Sequence, residues 1–238
     1  MARDLELRLA KQRTTVTIEP ATVVLCDNAA HATRVAKAFA DAGATVIDGA
    51  DTSRGTVAGQ FGRKADAAHI ASVTAGLQLP ADVGDWRPRD LSLLQRVLAA
   101  SLVAAVAGDA LIAFDLTHIA ASPFDVAHVF AHAARVRAIG KADVVMLIAD
   151  PAFISSAGTH LVVLVGDAVV ESGAVSTVLA NPSSEALTSR LEATPIASPL
   201  AMQLRRVQRA STQRVDYSHT QIIALPTRDS IALAGGDE

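Results

Sequence analysis

Apolar and polar residues follow three patterns in the first fifth of the chain: alternation, a continuous apolar run and helical spacing. Leu5 to Leu9 and Thr15 to Ile18 alternate every second position, as half-buried edge strands do. Ala21 to Cys26 is a continuous, β-branched apolar run, which predicts a strand buried on both faces. Ala30 to Ala42 has apolar residues at helical spacing, and Ala44 to Ile47 predicts another short strand. This order predicts an open α/β sheet whose first loop faces a ligand.

The same alternation continues through the middle of the chain. Leu91 to Ala107 and Pro123 to Ile139 predict helices, and the strands Asp109 to Phe114 and Asp143 to Ile148 follow them. Phe153 to Ala157 predicts a further short helix.

A hairpin and a short helix are predicted next. His160 to Val165 and Ala168 to Glu171 flank the turn Gly166-Asp167, and Val175 to Ala180 is a short helix that stops at Asn181-Pro182.

The character of the chain changes after about residue 197, so we divide it into residues 1–196 and a small C-terminal appendage, residues 197–238. Met202 to Arg214 predicts a basic amphipathic helix with a stripe of arginines: Arg205, Arg206, Arg209 and Arg214. Such a stripe can contact lipid headgroups or an acidic partner, but it is more often a solvated helix face.

Composition narrows the class of protein. Half of the 238 residues are hydrophobic and only 3% are aromatic, which suits a large core of small side chains. The net charge of -3 argues against a nucleic-acid partner. The single cysteine excludes an internal disulfide. The N-terminus lacks the apolar segment of a signal peptide, and Val97 to Gly108 is too short to span a membrane. We expect a cytoplasmic protein that meets a membrane only through a partner.

Several weak motifs occur in an order that is more specific than any one of them. From the C-terminal end backwards they are HLVVLVGDAVVESGAVSTVLANP (from His160), ALIAFDLTHIAASP (Ala110), RDLSLLQ (Arg89), VAGQF (Val57) and CDNAAHATR (Cys26). In this order they resemble the stretch after the switch histidine, the Walker B strand with the D-loop, the signature, the Q-loop and the phosphate-binding loop of ABC ATPases. The tail SSEALTSRLEATP resembles the oligopeptide and dipeptide importer branch. Over about residues 5 to 196 the chain resembles an ABC transporter ATP-binding subunit.

The resemblance implies an α/β fold with a P-loop NTPase-like (ABC ATPase) sheet flanked by helices and a shortened helical subdomain. The implied site positions are Asn28, His31, Ala32 and Thr33 (phosphate loop), Gln60 (Q-loop), Leu91, Ser92 and Gln95 (signature), Asp115 and Leu116 (Walker B and the base after it), and Ala149 (switch).

Most of these positions have lost the residue that the chemistry needs. A phosphate loop uses glycines to turn several backbone N–H groups toward one anion, and a lysine to reach the outer phosphates. Here Cys26, Ala29 and His31 replace glycines, and Ala32 replaces the lysine, which removes a contact of about 1.5–3 kcal/mol. Leu116 can neither accept a proton nor orient water. We expect no catalytic residue, no hydrolysis, and at most weak binding of ATP and Mg²⁺.

The resemblance also implies partners. An ABC permease, an intact ABC ATPase subunit, or both would hold the chain at the inner face of the cell membrane, in a homo- or heterodimer. An architectural or regulatory role follows from the lost chemistry.

Other interpretations stay open at this point. Val23 to Asp51 has the strand–helix–strand order of a Rossmann-type nucleotide-dependent enzyme, without its glycine-rich turn. A protein-interaction module without nucleotide fits equally. For the single residues the simpler interpretations are a strand-end cap for Asp115, a helix N-terminal residue that satisfies backbone donors for Thr33, a surface loop for Gln60 and an exposed ring for His31.

Four side chains raise the question of a metal site. His128 and His132 are four residues apart on one predicted helix face, a spacing that can bind zinc, and His118 and Asp115 precede them. No acidic residue stands between the two helix histidines, so solvent-facing histidines are the favoured interpretation.

Overall fold

The computed structural model describes residues 2–10, 12–62, 65–117, 123–154 and 158–194. In these residues, six strands form the main sheet. They are β3 (Ala21–Leu25), β4 (Thr45–Ile47), β5 (Leu111–Asp115), β6 (Asp143–Ile148), β7 (His160–Val165) and β8 (Ala168–Ala174). Their order across the sheet is β4-β5-β6-β3-β7-β8, and only β8 runs antiparallel to its neighbour.

The N-terminal strands β1 (Arg3–Leu9) and β2 (Gln12–Ile18) pair with each other as an antiparallel hairpin, outside the main sheet. Their alternation places one apolar row inward: Leu7, Leu9, Val16 and Ile18 are buried. This row joins the core cluster that also includes Val24, Val35 and Phe39. The hairpin therefore covers the first helix and one face of the sheet.

Helices connect or flank the strands. They are α1 (Ala29–Asp41), α2 (Ala67–Gly76), α3 (Leu93–Ala107), α4 (Pro123–Gly140), α5 (Val175–Ala180) and α6 (Glu185–Ala193). Short 3₁₀ turns occur at Val57–Gln60, Ala81–Asp85, Pro88–Asp90 and Pro151–Phe153. No helix of the described residues is long and apolar enough to cross a membrane.

Most predicted elements are confirmed, and β8 continues three residues beyond its expected end. The predicted helix from Leu91 begins at Leu93 instead, because the Ser92 side chain caps it and three residues before it form a 3₁₀ turn. The strand predicted from Asp109 begins at Leu111, because Gly108 ends α3 with a positive φ of 75° and Asp109 N–H still bonds to α3.

Of the helix predicted over Phe153 to Ala157, the structure describes only the first two residues, and Ile154 is helical. A 3₁₀ turn ends at Phe153, after the Asp150 carboxylate has accepted the Ala152 N–H. Residues 155–157 of that prediction lie outside the described residues, as do the arginine stripe and the whole appendage of residues 197–238.

Strand order decides against the Rossmann alternative. A dinucleotide half-site places the strands on either side of its first helix next to each other. Here β3 and β4 flank α1 in sequence, yet β5 and β6 lie between them in the sheet. The Rossmann interpretation is therefore wrong.

Candidate functional site

The predicted site residues fall into two groups at the carboxyl edge of the main sheet, where the parallel strands end. The central group follows β3, β5 and β6, which are adjacent in the sheet, and includes Asn28, His31, Ala32, Thr33, Asp115, Leu116 and Ala149. The lateral group follows β4 at the sheet margin and includes Gln60, Leu91, Ser92 and Gln95. Strands β3 and β4 are three spacings apart, about 14 Å, so the structure does not join the two groups.

The central group begins at a tight turn. Only Cys26, Asp27 and Asn28 separate β3 from α1. The Asn28 carboxamide oxygen caps the helix by accepting the His31 N–H at 2.9 Å, and the Asn28 carbonyl accepts the Ala32 N–H at 3.0 Å. The Cys26 N–H extends the sheet by donating to the Ile148 carbonyl at 2.8 Å.

The His31 ring fills the inside of this turn. The Asp27 N–H donates to His31 Nδ1 at 3.1 Å. Nδ1 also lies 3.2 Å from the Asp27 carboxylate, a contact that would need a protonated ring. Burial lowers the pKa of His31, the nearby Asp27 opposes this shift, and Arg34 adds to it. We therefore assign a neutral ring with its proton on Nε2, an atom that has no hydrogen-bond partner among the described residues.

One prediction about this turn needs correction. His31 is not exposed: only 1% of its surface is accessible, because its ring lies inside the turn. The Thr33 hydroxyl donates to the Ala29 carbonyl at 3.1 Å, and Asn28 is the residue whose side chain caps the helix.

An arginine that sequence reasoning did not single out lies over the same strand ends. Arg190 Nη2 donates to the Cys26 carbonyl at 2.8 Å and to the Ala149 carbonyl at 2.6 Å. Burial lowers the pKa of Arg190, while Asp27, Cys26 and Asp150 act in the opposite direction. The signal in the sequence is weak: a single arginine between Leu187 and Leu191, the two apolar positions of a short amphipathic segment.

Asp27 was also missed. Its carboxylate accepts the Gly166 N–H at 2.8 Å and so ties the end of β3 to the hairpin between β7 and β8. An anion placed in this turn would meet the negative charge of Asp27, and the N–H groups of Cys26, Asp27, His31 and Ala32 already have partners within the protein. These four N–H groups and the Asp27 carboxylate therefore do not fit a triphosphate.

The end of β5 lies next to that of β6, on the side away from β3. Asp115 is 2% exposed, and its carboxylate accepts the Thr117 N–H at 3.1 Å and the Thr117 hydroxyl at 2.6 Å. Leu116 is buried, and its N–H donates to the Leu147 carbonyl. Asp115 thus closes the turn after its own strand, and Leu116 belongs to the core.

The lateral group is a helix start packed on a loop. The Ser92 hydroxyl accepts the Gln95 N–H at 3.3 Å, and the Gln95 side-chain oxygen accepts the Ser92 N–H at 3.0 Å, which makes a capping box. A Cβ atom on Gly49, just after β4, would lie 2.5 Å from Leu93 Cδ1. Leu91 is half-buried immediately before the cap.

Gln60 is exposed and bound to the same loop. Its side-chain nitrogen donates to the Asp51 carboxylate at 2.7 Å. The Ser53 N–H and this contact hold the pKa of Asp51 below its usual range, although partial burial acts against them.

The histidines predicted to face solvent divide into two environments. His128 is exposed, whereas His132 is 2% exposed and its Nε2 lies 2.5 Å from the Ser101 hydroxyl oxygen on α3. The interpretation of both as solvent-facing is therefore wrong for His132, because α4 packs that face against α3. Among the described residues no group of three or more metal-ligating side chains is placed to hold an ion, and His118 lies outside them.

An apolar cleft of about 360 Å³ opens beside the lateral group. Its walls are α2 and two 3₁₀ turns, and its lining is mostly small and apolar: Ala58, Phe61, Ile70, Ala71, Leu79 and Val83 are among the lining residues. It has no charged side chain, so it does not provide the phosphate contacts that the central group lacks.

Comparison with known proteins supports the fold. No protein-family model and no curated protein sequence matches the chain. An ATP-binding cassette of an ABC transporter, solved in its ADP conformation, is similar with a TM-score of 0.56 and 12% identity, over 76% of this chain and 96% of its own. A nucleotide-free ATP-binding cassette from an ABC transporter gives 0.54 and 11%, over 76% and 94%.

A bacterial ABC exporter with ATP bound gives a TM-score of 0.55 and 12% identity over 82% of this chain, which spans only 42% of the exporter chain. These similarities and the parallel-dominated sheet between its helices lead to one conclusion: the described part of this chain has the α/β, P-loop NTPase-like fold of ABC-transporter ATP-binding cassettes.

Proposed function

We propose that this chain is an ATP-binding-subunit-like component of an ABC transporter that does not hydrolyse ATP and has an architectural or regulatory role. The observation that carries the proposal is the turn between β3 and α1. Four of its N–H groups are used internally, the neutral His31 ring fills it, and the Asp27 carboxylate lies beside it.

The charge at the turn supports the proposal further. A triphosphate needs a cation and converging N–H groups at this edge of the sheet. Two cations lie near the turn: Arg190 is already engaged by two carbonyl oxygens, and Arg34 is exposed and donates to the Ala30 carbonyl at 3.5 Å. ATP binding would have to break these hydrogen bonds and approach Asp27, so we expect binding to be weak with or without Mg²⁺.

Among the described residues at the end of β5, none is placed as a general base, which supports the proposed lack of hydrolysis. Leu116 is buried among core residues, and the Asp115 carboxylate is engaged by Thr117. Neither side chain is arranged to activate water.

The partner that fits this role is an ABC permease, an intact ABC ATPase subunit, or both. The fold supports the kind of partner, since the similar structures are cassettes of transporters and part of an exporter. We also propose the oligopeptide and dipeptide importer branch, on the tail from Ser183, and a peripheral position at the inner face of the cell membrane through the partner.

Titration of the purified chain with ATP, with and without Mg²⁺, tests the proposal. Isothermal titration calorimetry should show no saturable binding up to millimolar ATP, and phosphate release should stay at the level of an Asp115→Asn variant. Saturable binding with a micromolar Kd, or hydrolysis that the Asp115→Asn change abolishes, would contradict it.

A second experiment tests the partner. The tagged chain, expressed in its native host, should retain an ABC permease or ATPase subunit through affinity purification and gel filtration. Recovery of the chain alone, in repeated detergent and detergent-free preparations, would count against a transporter role.

A further inference from the structure

The last described helix, α6, is held at both ends by a buried or half-buried ionic side chain. Two apolar residues of the helix, Leu187 and Leu191, are buried. Arg190 lies near them and extends over the ends of β3 and β6. Polar, directional contacts therefore act at both ends of this helix in addition to its apolar contacts.

The N-terminal end is anchored by Glu171 on β8. Its carboxylate accepts the Ser183 N–H at 2.8 Å, the Ser184 N–H at 3.0 Å and the Ser184 hydroxyl at 2.8 Å. The Ser184 hydroxyl oxygen in turn accepts the Leu187 N–H at 3.3 Å and caps the helix. A carboxylate at a helix N-terminus also interacts favourably with the helix dipole.

The other end is fastened by Arg190 across two strands. The carbonyls of Cys26 and Ala149 follow the last paired residues of β3 and β6, so the ladder between these strands supplies no donor for them. The guanidinium supplies one to each, and buried carbonyls need such partners. Arg190 Nη1, however, is buried without a partner among the described residues. An unpaired buried donor destabilises the closed arrangement. The Nη2 group of Arg190 is therefore fully engaged, whereas its Nη1 group is not.

We propose that residues 183–194 form a strap that closes the carboxyl edge of β3 and β6, with Glu171 as its fixed anchor and Arg190 as its releasable latch. When the latch opens, α6 detaches at its C-terminal half while Glu171 retains its N-terminus. The carbonyls of Cys26 and Ala149 then become accessible at the sheet edge, beside the carboxylates of Asp27 and Asp150, which are exposed in the closed arrangement. This inference goes beyond the proposed function and does not depend on it.

Hydrogen exchange followed by mass spectrometry tests the strap directly. Arg190→Ala should raise exchange in peptides covering residues 183–194 at least tenfold, about 1.4 kcal/mol of local opening. Peptides covering β5 and β6 should exchange as in the wild type. Arg190→Lys should give a smaller increase, because one ammonium group makes a poorer bridge between two carbonyls than a guanidinium.

Ser189→Ala is the matched control, since Ser189 is exposed on the same helix. It should leave strap exchange unchanged. Unchanged exchange of residues 183–194 in both arginine variants would overturn the proposal, because apolar contacts alone would then hold the helix. Equal acceleration in all peptides would overturn it as well, since Arg190 would then stabilise the whole fold. If Arg190→Ala does not fold, Arg190→Lys decides by the same criteria.

Discussion

The stability of this protein should fall between pH 7 and pH 5 because His132 is buried in its neutral form. His132 lies between α4 and α3, and the Ser101 hydroxyl donates to the Leu98 carbonyl at 2.7 Å. The hydroxyl oxygen is therefore left to accept a hydrogen bond from the His132 Nε2–H group. Burial lowers the pKa of His132 from 6.5 to about 4, and the positive charges of Arg135 and His128 add to this shift.

The sign follows from the direction of the shift. In the unfolded chain the imidazole titrates near 6.5 and in the folded protein near 4. Between these values the unfolded state binds more protons, so the free energy of unfolding rises with pH in this window and is lost as the pH falls. Two-state linkage with these pKa values gives a loss of about 2 kcal/mol between pH 7 and pH 5.

Urea unfolding at pH 7, 6 and 5 measures the loss, with His132→Gln as the reference. The glutamine amide can donate to Ser101 and does not titrate, so its variant should lack about 2 kcal/mol of the wild-type pH dependence. The lowered pKa of His31 acts in the same direction, but it is common to both proteins and cancels in the difference. Parallel pH profiles for the two proteins would refute the reasoning.

Three further predictions concern single contacts. Ser92→Ala should lower the free energy of unfolding by about 1 kcal/mol through loss of the capping box. Chemical denaturation measures this loss, with Ser189→Ala as the control. Equal stability of the two variants would show that the cap contributes little. Burial and the negative charges of Asp115 and Asp27 raise the pKa of the Cys26 thiol. The native protein should therefore resist alkylation at pH 8 and react only in denaturant. Rapid labelling of the folded chain would contradict this. Gly158→Ala should lower the free energy of unfolding by about 1–3 kcal/mol, because its Cβ would lie 2.6 Å from the Ala21 carbonyl oxygen. Gly55→Ala, where nothing lies within 4 Å of the added Cβ, should be tolerated. Equal melting temperatures of the two variants would exclude a rigid contact at Gly158.

Local pattern was sufficient for most of the fold. The continuous apolar run from Ala21 and the alternation before it follow from which faces a strand must bury, so both strands were predictable. The capping box at Ser92 explains the start of α3, although the prediction placed that start two residues too early. Helix α2 was missed because its alanine-rich segment carries few large apolar residues to mark a face.

The sequence predicted that the candidate site residues lie at strand ends, but it did not predict what surrounds each side chain. Strand ends and the order of motifs indicated Asp115, Ala149 and the turn after β3, since residues that follow parallel strands share one edge. Whether a histidine is exposed or buried depends on what packs against it, and sequence reasoning was wrong for both His31 and His132.

The sequence by itself therefore determined most of the elements, because these depend on residue type and on the spacing of a few positions. It is also the basis of our proposal that the phosphate-binding and hydrolytic residues are replaced. Only the tertiary structure decided that Arg190 binds the end of β3, 164 residues before it in the chain. It also decided that Glu171 holds the helix that carries Arg190. The separation of β3 from β4 by β5 and β6 was likewise decided there. Such contacts join side chains to backbone carbonyls and N–H groups, which every residue has, and so they leave almost no pattern along the chain.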